Sequence, residues 1–128
     1  MSKYKDDRIR ADFEKLKSTS PDIEEIILLS YDGLVLVSTV VEKNIDTEEA
    51  VAASASEINA SIVRLLESLK WKPYQKILLQ GSDNDILVKD IKDFGLLVVI
   101  AKGGVDMINI DAQANWAAGM IETLNEGN

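Results

Sequence analysis

Two runs in this chain, "IILL" at residues 26–29 and "LLVVIA" at residues 96–101, are apolar at every position. In an extended strand, successive side chains point to opposite faces. A strand that is apolar on both faces belongs in the middle of a sheet covered from both sides. The chain therefore reads as three layers, a sheet with helices on each face.

The neighbouring segments give the order. Only Asp32-Gly33 separates "IEEIILLSY" from "LVLVSTVV", between Tyr31 and Leu34. Asp-Gly supplies the positive φ that a type I′ hairpin turn needs. It is therefore read as a turn rather than as a reactive or metal-binding carboxylate. Further on, "YQKILLQG", "ILVKDI" and "LLVVIA" are joined by "SDND" and by "KDFG", where Asp93 and Gly95 suit a turn. Short connections make these pairs antiparallel. Strands two and three are the more polar ones and are expected at the edges.

Three helices complete the pattern. Ile9, Phe13 and Leu16 recur at helical spacing over about residues 7–17, and "STSPD" stops that helix before Pro21. "NIDTEEA" opens a long helix, with Asp46 as cap and Glu49 completing a capping-box-like pair, running to about Lys70 ahead of Pro73. Val51, Ala55, Ile58, Ile62, Leu65 and Leu69 form its apolar stripe, flanked by Leu66. Beside it runs a band of small residues: Ala52, Ala53, Ser56, Asn59 and Ala60. Small side chains let another backbone approach closely. That backbone is a neighbouring loop or, as favoured here, a helix of a second subunit. The run "VDMINIDAQANWAAGMIETL" forms the last helix, with Ile110, Ala114, Ala117, Ile121 and Leu124 on one face and either Asp106 or Asp111 as cap. The order α-β-β-α-β-β-β-α makes one α+β domain of 128 residues, with its core over about residues 7–124 and frayed ends in "MSKYK" and "NEGN". With 46% hydrophobic residues it can bury a core without disulfides or metal.

Composition excludes several functions. There is no cysteine and no histidine, so thiol nucleophiles, Ser-His-Asp triads and Cys/His metal sites cannot be built. A net charge of −8 repels nucleic acid and anionic membranes. No stretch approaches the roughly 18 apolar residues of a spanning helix, and "MSKYKDDRIR" lacks the apolar core of a signal peptide. A soluble, cytoplasmic chain is expected.

The remaining motifs read as structure. "SDNDILVKD" lacks the glycine and glutamate of a calcium loop and is a hairpin turn. "AKGGVD" matches no phosphate-binding pattern and is a chain reversal. Asn59-Ala60-Ser61 is a glycosylation triplet in mid-helix and is discounted. The arginines are Arg8, Arg10 and Arg64; Arg64, on the polar side of the long helix near Glu67, reads as a solvated charge. No catalytic residue, metal site, cofactor or small-molecule substrate is assigned. The residues describe a non-enzymatic interaction domain, expected to be a dimer.

The order of elements, the "YDGLVLVS" hairpin and the Ala/Ser-rich long helix together resemble the Roadblock family, over about Arg8 to Leu124. That family includes dynein light chains, lysosomal scaffold subunits and prokaryotic regulators of Ras-like GTPases. The resemblance implies a five-stranded antiparallel sheet in the order 2-1-5-4-3. It also implies a homodimer in which third strands pair edge to edge and the long helices lie side by side. Carried over, the dimer contact would use Ala53, Ser56, Asn59, Ala60 and Val63 on the helix, with Ile77 and Leu79 on the third strand. A small Ras-like GTPase would dock on the helix pair, with Glu57, Arg64 and Glu67 as candidate contacts. Such members reshape the GTPase's own switch region, so a GTPase-activating role needs no active site here. The alternatives are a light-chain-like adaptor that binds a peptide and a small-molecule sensor domain.

Overall fold

The computed structural model describes residues 3–126. Its elements are α1 (Lys3–Thr19), β1 (Ile23–Leu29), β2 (Val35–Ser38), α2 (Ile45–Leu69), β3 (Ile77–Gln80), β4 (Asn84–Ile91), β5 (Gly95–Lys102) and α3 (Met107–Glu126). All five strands form one antiparallel sheet in the order β2-β1-β5-β4-β3. The two wholly apolar runs are central, and Ile26 to Leu29 and Leu96 to Val99 are all buried.

Alternation along the strands divides the core in two. On one face Ile26, Leu28, Leu87, Leu97 and Val99 pack with Ile9 and Phe13 of α1 and with Ile110, Ala114, Ala117 and Ile121 of α3. On the other, Ile27, Leu29, Val88, Leu96 and Val98 meet Ala52 and Ala55 of α2. Two helices thus cover one face and a single helix covers the other. That inequality decides where the molecule is left open.

Several local expectations are corrected. Helix α1 begins at Lys3, earlier than the expected start near residue 7. The expected fraying of residues 1–2 and 127–128 lies outside the described residues. A 3-10 turn, Glu42–Asn44, feeds α2, which starts at Ile45. Asp46 therefore lies inside the first turn and is not the cap. Asn44 holds that place without a side-chain hydrogen bond. A carboxylate in the first turn still opposes the helix dipole favourably. At α3 the choice of cap is settled, since the Ile108 amide donates to Asp106 Oδ1 at 3.0 Å.

The first hairpin also differs from its expected form. Gly33 has φ of 91°, while Asp32 does not have positive φ, so the turn is not type I′. The Gly33 amide donates to the Ser30 carbonyl at 3.1 Å and the Ser30 amide to the Leu34 carbonyl at 2.9 Å. These bonds enclose a three-residue loop, Tyr31-Asp32-Gly33, which ends in a left-handed glycine. Asp32 has a local task, accepting a hydrogen bond from the Ser30 hydroxyl.

The acidic "SDND" segment is a hairpin turn, closed by the Gly81 amide on the Asn84 carbonyl at 3.0 Å. In "AKGGVD" the Gly103 amide is committed to the Asp83 carbonyl at 2.8 Å.

Candidate protein-interaction face

Helix α2 rests mainly on β1, and its inward side is the small one. Ala52 and Ala55 are buried against the sheet. The Ser56 hydroxyl donates to the Tyr31 carbonyl at 3.1 Å. Asn59 is buried, and its Oδ1 accepts from the Tyr74 hydroxyl at 2.5 Å. Part of the small band therefore fits the chain's own hairpin loop and its own Tyr74. Of the residues expected at a subunit contact, Ser56 and Asn59 are engaged inside this chain. Ala53 and Ala60 are exposed, and Val63 is half-buried. Glu57, Arg64 and Glu67 lie on the outer flank, where Arg64 Nη2 donates to Ser61 Oγ at 3.1 Å and forms no ion pair with Glu67.

The apolar stripe takes the opposite flank. Ile58 is 41% exposed, Leu65 52% and Leu69 45%. Of these, Leu65 and Leu69 continue the exposed stripe toward the end of the helix, and Ile58 borders the half of the sheet that α2 does not reach. There a groove of about 470 Å³ opens between Val51, Ala55 and Ile58 of α2 and Ile77, Leu79, Ile86 and Val88 of β3 and β4. Its floor ends at β3, whose outer edge pairs with no strand among the described residues. Of the two β3 residues expected at the contact, Ile77 is half-buried in this groove and Leu79 is 49% exposed. Leu78 of β3 is also exposed. An unpaired, apolar edge beside an apolar helix flank is an adhesive surface in water.

Near the hairpin and the C-terminus of α2 the surface turns polar. The Tyr31 hydroxyl shares its one hydrogen between Asp90 Oδ1 at 2.5 Å and the Ile91 carbonyl at 3.1 Å. Burial, with the Asp90 hydrogen bond behind it, pushes the Tyr31 phenol above its ordinary value. Burial first and the nearby Asp90 charge second push Tyr74 up to about 12. Both phenols therefore stay protonated donors at neutral pH.

Sequence reasoning does not reach this role of the stripe, because helical periodicity identifies an apolar flank and not what lies opposite it. The available signal is the number of elements, two helices for one face and one for the other. No group of three or more Asp or Glu side chains among the described residues is arranged to hold a metal ion. No helix among them is long and apolar enough to cross a membrane.

One helix on one side of a 2-1-5-4-3 antiparallel sheet and two on the other define the class, the Roadblock fold. The chain belongs to the Roadblock/LC7 domain family, whose sequence profile matches residues 11–101. Among solved structures it is similar to MglB from Myxococcus xanthus, at 16% identity and a TM-score of 0.86, with 99% of this chain and 94% of that one covered. A gliding protein MglB from Thermus thermophilus is 15% identical with a TM-score of 0.84, covering 100% and 96%. A Roadblock/LC7 domain from Streptomyces avermitilis is 18% identical with a TM-score of 0.79, covering 91% and 97%. At these identities the likeness is one of fold. No curated protein matches the sequence significantly.

Proposed function

We propose that this protein is a cytoplasmic, non-enzymatic homodimer that regulates or scaffolds a small Ras-like GTPase. The open face formed by the α2 stripe and the β3 edge carries the reading. Fully withdrawing one large aliphatic side chain from water contributes about 1.5–3 kcal/mol. Ile58, Leu65, Leu69 and Leu79 are each about half exposed, so covering them in both copies contributes about half of that per side chain, set against an association cost of about 4–15 kcal/mol. A two-fold pairing of β3 with β3 satisfies the open edge of each copy, and the groove then closes against the other copy's helix. The relatives support self-association, since one MglB structure is described as a tetrameric arrangement.

The GTPase half of the proposal rests on the family likeness to prokaryotic GTPase regulators. The outer flank with Glu57, Arg64 and Glu67 stays exposed when the stripe is covered, and it is the surface offered to that partner. Any effect on hydrolysis would act through the GTPase's own residues. The groove with its open edge also suits an added peptide strand, the adaptor reading.

Molar mass in solution tests both halves, measured alone and with a nucleotide-loaded GTPase from the same cell. The proposal expects twice the 14.1 kDa of the chain alone and a heavier complex with the GTPase. A monomer at micromolar concentration defeats the dimer. A mass unchanged by every such GTPase defeats the partner and leaves the adaptor reading.

A further inference from the structure

We propose that the pocket at the C-terminal end of α2 seats one basic side chain, an arginine above all, presented by the protein's partner. This deepens the partner reading above and rests on it for the identity of the partner, but the pocket can be tested without that partner.

The pocket is a product of how the helix stops. Lys70 turns left-handed, its amide donates to the Glu67 carbonyl at 3.1 Å, and the Trp71 amide reaches back to the Leu66 carbonyl at 2.9 Å. This pair of bonds sets the residue after the turn beside the last helical turn. Trp71 is held at the pocket wall with Leu66, yet remains 66% exposed. Pro73 fixes the return of the chain, and Tyr74 is pinned through its hydroxyl to Asn59. Between these walls lies a cavity of about 90 Å³, bordered by Glu67 and Asp90.

Size and charge choose the occupant. Cofactor and small-molecule sites usually run to about 300–1,000 Å³, so this cavity takes a side-chain head group and not a nucleotide. No basic residue lines it, which disfavours phosphate or carboxylate. Aromatic faces attract cations, and a planar guanidinium can stack on Trp or Tyr while offering N–H groups to carboxylates. Neither Glu67 nor Asp90 is in a salt bridge among the described residues, so both carboxylates remain to meet an incoming cation. Asp90 is already oriented by the Tyr31 hydroxyl. The net charge of −8 draws a basic partner toward the surface from a distance.

The test uses the whole chain carrying Trp116→Phe, which leaves Trp71 as the only indole, since the sequence has two tryptophans. Nα-acetyl-arginine methylamide is titrated while the indole N–H resonance is followed, with the neutral citrulline analogue as control. The arginine probe should move the resonance saturably in the millimolar range, and the citrulline probe should not. Glu67→Gln and Asp90→Asn should each weaken binding about five-fold, with the exposed Glu67 variant guarding against a folding effect at Asp90. Equal responses to the two probes would overturn the proposal, and so would an affinity indifferent to Glu67→Gln. A pocket closed by a second copy gives no response, and that too overturns it. Arginine binding with no GTPase complex would leave the pocket standing and remove the GTPase. A GTPase complex with a silent pocket would do the reverse.

Discussion

The Ser56 hydroxyl on α2 donates to the carbonyl of Tyr31 in the first hairpin at 3.1 Å, across 25 residues of sequence. Around that bond a Cβ placed on Gly33 would lie 3.3 Å from the Ser56 Cβ, and Gly33 itself has φ of +91°. Gly33→Val combines a left-handed backbone with a β-branched side chain aimed at the helix. It should cost at least about 2 kcal/mol in urea unfolding. Ser56→Ala, which loses only the hydrogen bond, should cost about 1 kcal/mol. Asp32→Asn should stay within about 0.5 kcal/mol, because an amide oxygen can also accept from Ser30. Loss of partner binding in a well-folded Asp32→Asn protein would show that Asp32 does more than shape the turn.

Gly95 opens β5 against β1, and a Cβ there would lie 2.0 Å from the carbonyl oxygen of Leu29. That neighbour is backbone in a buried strand and cannot swing away. Gly95→Ala should therefore fail to give a stable fold, measured as loss of cooperative thermal unfolding. A normal melting curve would mean that the central strands separate more easily than their packing implies.

Lys70 closes α2 with φ of 58°, a conformation that glycine adopts at much lower cost. Lys70→Gly keeps both terminal hydrogen bonds and relieves the strain, which is about 1 kcal/mol for an L residue. The melting temperature should rise by about 4 °C. A fall would show that the lysine side chain contributes more than its backbone costs.

Asp111 on α3 receives Lys89 Nζ at 2.7 Å and Lys76 Nζ at 3.1 Å, and Lys89 is itself buried. The Lys89 ammonium against the carboxylate, ahead of the opposing effect of burial, holds the Asp111 carboxyl below its ordinary value of 3.8. A carboxylate with a depressed folded pKa stabilises the fold above that ordinary value, and the contribution disappears as pH falls through the folded one. Asp111→Asn should therefore cost about 2 kcal/mol at neutral pH and progressively less as the solution is acidified below pH 3.8. Parallel stability curves for the two proteins down to about pH 2 would rule out this linkage.

The architecture is legible in the sequence because its determinants are local or periodic. Strands apolar at every position, such as 26–29, have to be central, and the short spacings between strand-like runs have to produce antiparallel neighbours. The turn at Asp32-Gly33 differs from expectation by one residue, since counting along the sequence cannot tell whether Tyr31 still belongs to β1. The side of α2 that meets the sheet is harder to read. Hydrophobicity ranks Ile58, Leu65 and Leu69 above Ala52 and Asn59 as inward residues, yet the close approach of the hairpin loop leaves room only for the small ones. Asn59 can be buried because Tyr74, 15 residues away, satisfies it, a pairing that no periodicity announces.

That reversal sharpens the last prediction. If the exposed flank of α2 and the β3 edge form the subunit contact, a charge placed there must be desolvated or must break the contact. Leu65 is 52% exposed in the single chain, so Leu65→Glu should leave the monomer fold intact, with unchanged far-UV circular dichroism. Its molar mass in solution should fall to that of one chain. Leu79→Lys, at the β3 edge and 49% exposed, should do the same. Ala53→Glu and Ala60→Glu lie on the opposite, exposed flank and should leave the dimer in place. The reverse outcome, with the alanine variants monomeric and the leucine variants dimeric, would return the contact to the small outer band and separate it from the groove.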